Sequence, residues 1–229
     1  MKIGGLIKMT LLDYPEHVAC SVFLKGCNFR CPFCYNSSLI EMEDSSNCLS
    51  EDDLFTFLKT RVNKLDGVAI SGGEPLLQPN IVDFIKKIKN MGFKVKLDTN
   101  GTSPKILNRL IKEKLIDYVA MDIKNCIEKY PMTAGCNLNT DNILQSIEIL
   151  LKGDVDYEFR TTVVKELHEV SDFKKIGLMI EGARKYYLQS FLAKESVLDQ
   201  SLHAYSKEEL QECINAVKDY VKIAELRGI

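Results

Sequence analysis

Six short apolar runs alternate with segments of helical period along this chain, and few folds accommodate such an alternation. Residues 18–24, 67–70, 93–98, 117–123, 157–164 and 185–191 read as buried strands. Helices are expected between them. Leu54, Phe57, Leu58 and Val62 form an apolar stripe after Ser50, and Ile81, Phe84, Ile85 and Ile88 form one within 79–90. Ile106, Leu107, Leu110 and Ile111 follow Pro104, which suits a first helical turn. Further helices are expected at 140–151, 171–183 and 206–227, with a long loop through Pro131 and Gly135 before the first of these. Ser50 and Ser206 can cap, with Asp53 and Glu209 at the capping-box position. Residues 37–48 are polar and read as irregular.

The expected fold class is α/β, a parallel sheet with helices outside, in a single domain spanning 1–229. Its parts are an N-terminal hairpin or cover at 1–17, six βα units over 18–191 and a C-terminal helix at 206–227. A chain of 229 residues, 45% of them hydrophobic, can bury such a core, and no linker divides it. The alternation does not set strand order, so an open partial barrel and a doubly wound sheet both remain. Thirty basic against 32 acidic side chains leave a net charge of −2, which offers no basic field to nucleic acid. No apolar run approaches the ~18 residues of a membrane span, and no charged and then apolar leader opens the chain. A cytoplasmic protein without membrane partners is expected. In that setting eight cysteines read as reduced thiols and metal ligands.

In parallel α/β barrels the working residues sit where strands end and loops begin. The chain's distinctive motifs all fall there. Gly26–Asn36 follows the first run and holds Cys27, Cys31 and Cys34 at C-x3-C-x2-C spacing. Three thiolates in one loop can wrap zinc or an iron–sulfur cluster. Three ligands suit a cubane with one open iron, while a closed structural zinc needs a fourth. Ser71-Gly72-Gly73-Glu74-Pro75 ends the second run, where paired glycines allow close approach of a ligand to backbone. Asp98-Thr99-Asn100-Gly101 ends the third run and Asp122-Ile123-Lys124 the fourth; Arg160 lies in the fifth and Gln189 ends the sixth. Asp98 and Asp122 could face one another, which requires a cation or a proton between them. Lys124 and Arg160 would bring positive charge to the same mouth. Cys20, Cys48, Cys126, Cys136 and Cys213 are scattered, as are His17, His168 and His203, and none completes a motif.

The cysteine spacing, with aromatic Phe33 before the third cysteine, resembles that of radical S-adenosylmethionine (SAM) enzymes. Asp13-Tyr14-Pro15 and the context 23–32 are similar to the activating proteins of anaerobic ribonucleoside-triphosphate reductase, relatives of pyruvate formate-lyase activating enzyme. The resemblance implies an open (β/α)6 partial barrel. It implies a [4Fe-4S] cluster on Cys27, Cys31 and Cys34 whose open iron takes the amino and carboxylate groups of SAM. One electron from the cluster would break a C–S bond and form a 5′-deoxyadenosyl radical. Gly72, Gly73 and Glu74 match the motif that recognises the SAM amino group, and Asn36 matches an asparagine that contacts SAM. Asn100, Lys124, Arg160 and Gln189 would complete the cofactor site, with Lys124 and Arg160 assisting cleavage. Asp98-Thr99 and Met121-Asp122 match segments that hold a monovalent cation. Tyr35 departs from the histidine frequent at its position. The implied partners are a glycyl-radical enzyme, above all anaerobic ribonucleoside-triphosphate reductase, and a low-potential electron donor such as flavodoxin or ferredoxin. Rival readings are the activase of another glycyl-radical enzyme, a small-molecule radical SAM enzyme of the deazapurine type, and a zinc- or cluster-bearing adaptor.

Overall fold

A computed structural model describes residues 1–41 and 48–228. Of the stretch expected to be irregular at 37–48, residues 42–47 lie outside the described residues, and Ser37–Leu39 form a short 3-10 turn. Eight strands form one sheet among the described residues: β1 (Ile3–Thr10), β2 (Ala19–Leu24), β3 (Gly67–Gly72), β4 (Lys94–Thr99), β5 (Tyr118–Asp122), β6 (Asp156–Val163), β7 (Tyr186–Ser190) and β8 (Ala224–Arg227). They lie side by side in chain order. β1 runs antiparallel to β2, and every other neighbouring pair is parallel. A doubly wound sheet reverses its order at a switch point. This one never reverses, so each crossover advances one place with the same hand and the helices collect on one face. The open, mostly parallel barrel is the observed architecture.

The helices are α1 (Glu51–Lys59), α2 (Ile81–Asn90), α3 (Pro104–Lys112), α4 (Tyr130–Ala134), α5 (Thr140–Leu151), α6 (Val170–Met179) and α7 (Lys207–Val217). The Ser50 side chain accepts from Asp53 N–H, and Ser206 with Glu209 closes a reciprocal capping box. Strand alternation sorts the two faces of the sheet. On β6, Tyr157, Phe159 and Val163 join the apolar core beneath the helices, while Glu158 and Arg160 join charged partners on the opposite, inner face. On β4, Val95 and Leu97 go to the core and Lys96 and Asp98 pair inside. The inner face is thus polar and closed at one end by a separate small cluster of Tyr14, Ala19 and Tyr118. The Asp13 carboxylate beside it accepts from Ser21 Oγ at 2.5 Å.

Three expectations change. Residues 3–10 are an edge strand of the main sheet. The loop after β5 contains α4, with Pro131 in its first turn and left-handed Gly135 (φ 67°) ending it. The C-terminal helix stops at Val217, and residues 224–227 form β8. Val221 continues the helical spacing of Leu210, Ile214 and Val217, which makes the helix look longer. The free edge of β7 wins instead: Tyr186 N–H bonds Ile223 O at 2.9 Å, and Lys222 N–H bonds Ala183 O at 2.9 Å.

Candidate active site

The loop after β2 turns at Gly26 (φ 98°) and is gripped along its whole length. Gly26 and Cys27 N–H donate to Leu39 and Ile40 carbonyls at 2.7 and 3.0 Å. On one flank Arg30 N–H reaches Ala134 O at 2.9 Å, and a Cβ at Gly135 would sit 2.1 Å from Arg30 O. On the other flank the segment after β7 crosses the loop. Leu192 N–H donates to the Tyr35 hydroxyl at 2.7 Å, Phe191 stacks on the Tyr35 ring, and Lys194 lies 5.2 Å from its centroid. Ser37 Oγ donates to Ser196 O at 2.6 Å, and Asp199 N–H to Pro32 O at 3.0 Å. From below, Gly73 N–H bonds Leu24 O and Glu74 N–H bonds Gly26 O, each at 2.8 Å.

The glycine pair is therefore required by packing. A Cβ on Gly72 (φ 119°) would lie 2.3 Å from Leu24 N, and one on Gly73 would lie 2.1 Å from Gly26 O. The N–H groups of Gly73 and Glu74 are committed to the end of β2 and the start of the cysteine loop, which leaves carbonyl oxygens as what this turn can offer a ligand. Glu74 does not line the cavity. It is buried (1% exposed), and its carboxyl accepts from Leu76 N–H at 3.1 Å, Thr99 Oγ1 at 2.8 Å and Asn100 N–H at 2.6 Å. It clamps the end of β3 to the end of β4. Burial pushes its carboxyl up to about 7, against the pull of those donors.

Across the inner face runs a charged network. Arg160 Nη2 lies 2.9 Å from Asp122 Oδ1 and 3.6 Å from Asp98 Oδ2. Lys124 Nζ meets Asp122 Oδ2 at 3.1 Å, and buried Lys96 pairs with Asp98. Burial penalises both carboxylates, but Arg160 with Lys96 holds Asp98 below the usual range, and Arg160 with Lys124 holds Asp122 down at about 2. The expected cation between the acids has no negative charge left to neutralise, because three basic side chains already outnumber the two acids. Arg160 bridges the acids and does not pair with its strand neighbour Glu158.

These elements enclose one cavity of about 360 Å³. Cys27, Cys31, Cys34, Asn36, Gly72, Gly73, Asp98, Asn100, Asp122, Lys124, Arg160 and Gln189 all line it. Of the expected site residues only Glu74 stands behind the wall. Asn100 Nδ2 also donates to Asn28 Oδ1 at 2.9 Å, tying β4 to the cysteine loop. Burial pushes the Cys27 and Cys31 thiols up to about 11 and about 12. Among the described residues no three acidic, histidine or cysteine side chains converge closely enough for a single ion. Cys27, Cys31 and Cys34 line the cavity from one loop, and three soft thiols are a donor set that suits a cluster taking one thiolate per iron. Outside the cavity, Cys126 is buried with Sγ 3.6 Å from Asp172 Oδ1, and buried His168 places Nε2 2.8 Å from Lys124 O.

The Radical SAM superfamily family model matches residues 21–176. The chain belongs to the radical SAM superfamily. It is 32% identical over 234 residues to a Methanocaldococcus jannaschii protein provisionally named a glycyl-radical enzyme activating enzyme, covering 99% of this chain and 96% of that protein. A GTP 3′,8-cyclase of Helicobacter pylori is 28% identical over 148 residues, which is 63% of this chain but 46% of the cyclase. Among solved structures, a domain of pyruvate-formate lyase-activating enzyme from Bacteroides vulgatus superposes with TM-score 0.57 at 21% identity, over 71% of this chain and 99% of that one. Streptococcus suis SuiB bound to S-adenosylmethionine superposes with TM-score 0.68 at 15% identity, over 90% of this chain and 51% of SuiB. This radical SAM enzyme is thus a homologue of glycyl-radical enzyme activating enzymes, and the cofactors of its family are a [4Fe-4S] cluster and SAM.

Several cavity-lining residues carry no sequence signal. Arg227 and Gly228 enter from β8, and Thr162, Ser190 and Leu192 from the ends of β6 and β7. Lys96, which no sequence motif singles out, is 2% exposed. Its i, i+2 spacing to Asp98 is the one clue that it shares the inner face.

Proposed function

We propose that this radical SAM enzyme generates a glycyl radical on a partner enzyme, and that the partner is anaerobic ribonucleoside-triphosphate reductase. The carrying observation is the match to an activating-enzyme homologue across 99% of this chain and 96% of that protein. The choice of reductase rests on the Asp13-Tyr14-Pro15 and 23–32 segments. Structurally, Tyr14 closes the inner end of the barrel and 23–32 carries the cysteine loop.

Cys27, Cys31 and Cys34 are the proposed cluster ligands. The bound cluster and SAM would supply one-electron chemistry for abstracting a glycine hydrogen from the partner. The protein's part is to bind, orient and exclude water. The turn at Gly72 and Gly73 would present carbonyl oxygen to the SAM ammonium. Asn36 and Asn100 would add hydrogen bonds, and Gln189 another from the far wall. Lys124 and Arg160, fixed by Asp122 and Asp98, would face the SAM carboxylate. A flavodoxin or ferredoxin would deliver the electron from the cytoplasm.

The test is anaerobic reconstitution of the protein with iron and sulfide, followed by reduction in the presence of SAM and the reductase polypeptide of the same organism. About four irons per chain, methionine release and a reductase-borne glycyl signal in electron paramagnetic resonance are expected. One zinc per chain with no methionine would overturn the reading in favour of an adaptor.

A further inference from the structure

The cavity wall divides by chemistry. Strands β2 to β5 bring the cysteines, the glycine turn and most of the charged network. Strands β6 to β8 bring Thr162, Gln189, Ser190, Gly228 and Arg227. Arg160, also on β6, is committed to Asp98 and Asp122.

Arg227 is held by two residues, Glu158 and Tyr187. Its Nη1 and Nη2 donate to Glu158 Oε1 and Oε2 at 2.8 and 2.9 Å. Its guanidinium carbon lies 3.3 Å from the centroid of the Tyr187 ring. The Tyr118 hydroxyl donates to Glu158 Oε2 at 2.9 Å and keeps that carboxylate in place. Glu158 is buried (1% side-chain exposure), whereas 35% of the Arg227 side chain is exposed, at the cavity wall. A guanidinium has five N–H donors, and a bidentate carboxylate takes two. The remaining donors form a fixed fan whose rotamer entropy is already lost before anything binds.

The charge of that fan is matched by Glu158. Counting the buried partners, Lys96, Lys124, Arg160 and Arg227 face Asp98, Asp122 and Glu158, four cations to three anions. A triphosphate would find almost no uncompensated positive charge here. A neutral main chain would find donors and acceptors at Arg227, Thr162 and Ser190. We propose that Arg227 is a substrate-binding residue that donates to a main-chain carbonyl of the partner's glycine-bearing segment, with Thr162 and Ser190 completing a neutral peptide cradle. This rests on the activase reading above and assigns the substrate half of the same cavity.

The experiment uses the reconstituted holoenzyme and the anaerobic reductase polypeptide, with glycyl radical followed against reductase concentration. Two variants guard against simple unfolding. Arg227→Lys keeps a cation beside Glu158 but loses the fan. The double variant Arg227→Gln, Glu158→Gln leaves no buried unpaired charge. Both should keep wild-type iron content and melt within a few degrees of wild type. KM for the reductase should rise about tenfold or more, as loss of a charge-assisted hydrogen bond implies, with kcat nearly unchanged. An unchanged KM in both variants overturns the assignment of Arg227 while the activase reading stands. A wild type that forms no glycyl radical overturns the activase reading and the inference with it. Competition by millimolar GTP in the wild type that vanishes in both variants overturns the peptide assignment in favour of a nucleotide.

Discussion

Gly73→Ala adds a single methyl group, and the structure says where it goes. The new Cβ would stand 2.1 Å from Gly26 O, 2.6 Å from Gly26 C and 3.2 Å from Cys27 N. Backbone atoms cannot swing aside as a side-chain tip can, so Gly26 must retreat by more than about 1 Å to restore ordinary contact. That retreat breaks or lengthens the 2.8 Å bond from Glu74 N–H to Gly26 O. Overpacking costs ~1–3 kcal/mol and the lost hydrogen bond about 1 kcal/mol, so the apoprotein should lose about 2–4 kcal/mol. For a domain of this size that is a fall of roughly 4–16 °C in Tm. Cys27 is the next residue, so the displacement passes directly to a proposed cluster ligand. Iron retained after anaerobic reconstitution should therefore fall together with SAM affinity. Gly5→Ala is the control: its Cβ meets nothing closer than 3.6 Å, and iron and Tm should stay at wild-type values. The assays are apoprotein melting by circular dichroism, iron and sulfide counts, and SAM titration calorimetry on the three proteins. If Gly73→Ala keeps full iron and an unchanged Tm but binds SAM weakly, the turn is a ligand contact alone and the steric argument fails.

Other predictions follow from the same geometry. The buried Glu74 carboxyl is raised from 4.5 to about 7, so its contribution to stability is fully present below about 4.5 and is lost as pH rises through 7. The difference in apoprotein Tm between wild type and Glu74→Gln should change across that window, and a parallel pair of pH curves would refute it. Cys31→Ala should lose most iron and all methionine release, while Cys213→Ala, buried in α7 away from the cavity, should keep both; full iron in Cys31→Ala would remove it from the ligand set. Exchanging Na⁺ for K⁺ should leave methionine release unchanged, since Lys96, Lys124 and Arg160 already outnumber Asp98 and Asp122; a several-fold stimulation would reinstate a bound cation.

The six central strands were legible because each is a short apolar run whose burial is decided locally. The site was legible for a related reason: in a parallel barrel, strand ends converge, so Cys27, Gly72, Asp98 and Asp122 had to meet. What escaped depends on partners distant in sequence. Lys96 is recognisable as an inner-face residue only once Asp98 has been turned inward. β8 forms because β7 offers a free edge, while its own four residues extend a helical-looking pattern. Glu74 sits within a ligand motif, yet its carboxyl turns away from the cavity because Thr99 and Asn100 arrive behind it from β4. Tyr35, out of pattern for the family it resembles, gains its partner from Leu192, on the far side of the sheet.

The two-sided grip on the cysteine loop bears on the order of events as the protein is made. Residues near 30 are held by the 130–136 segment and by 191–199, so the contacts that shape the loop close over separations of about a hundred residues or more. Contacts of that span form late, after the closure entropy of the intervening chain has been met by the sheet. While the chain is still emerging from the ribosome, with residues beyond 190 not yet made, Pro32, Tyr35 and Ser37 have nothing to rest against. The thiols are then exposed on a slack loop. The loop therefore cannot take its final shape until residues 191–199 have been made and have docked against Pro32, Tyr35 and Ser37.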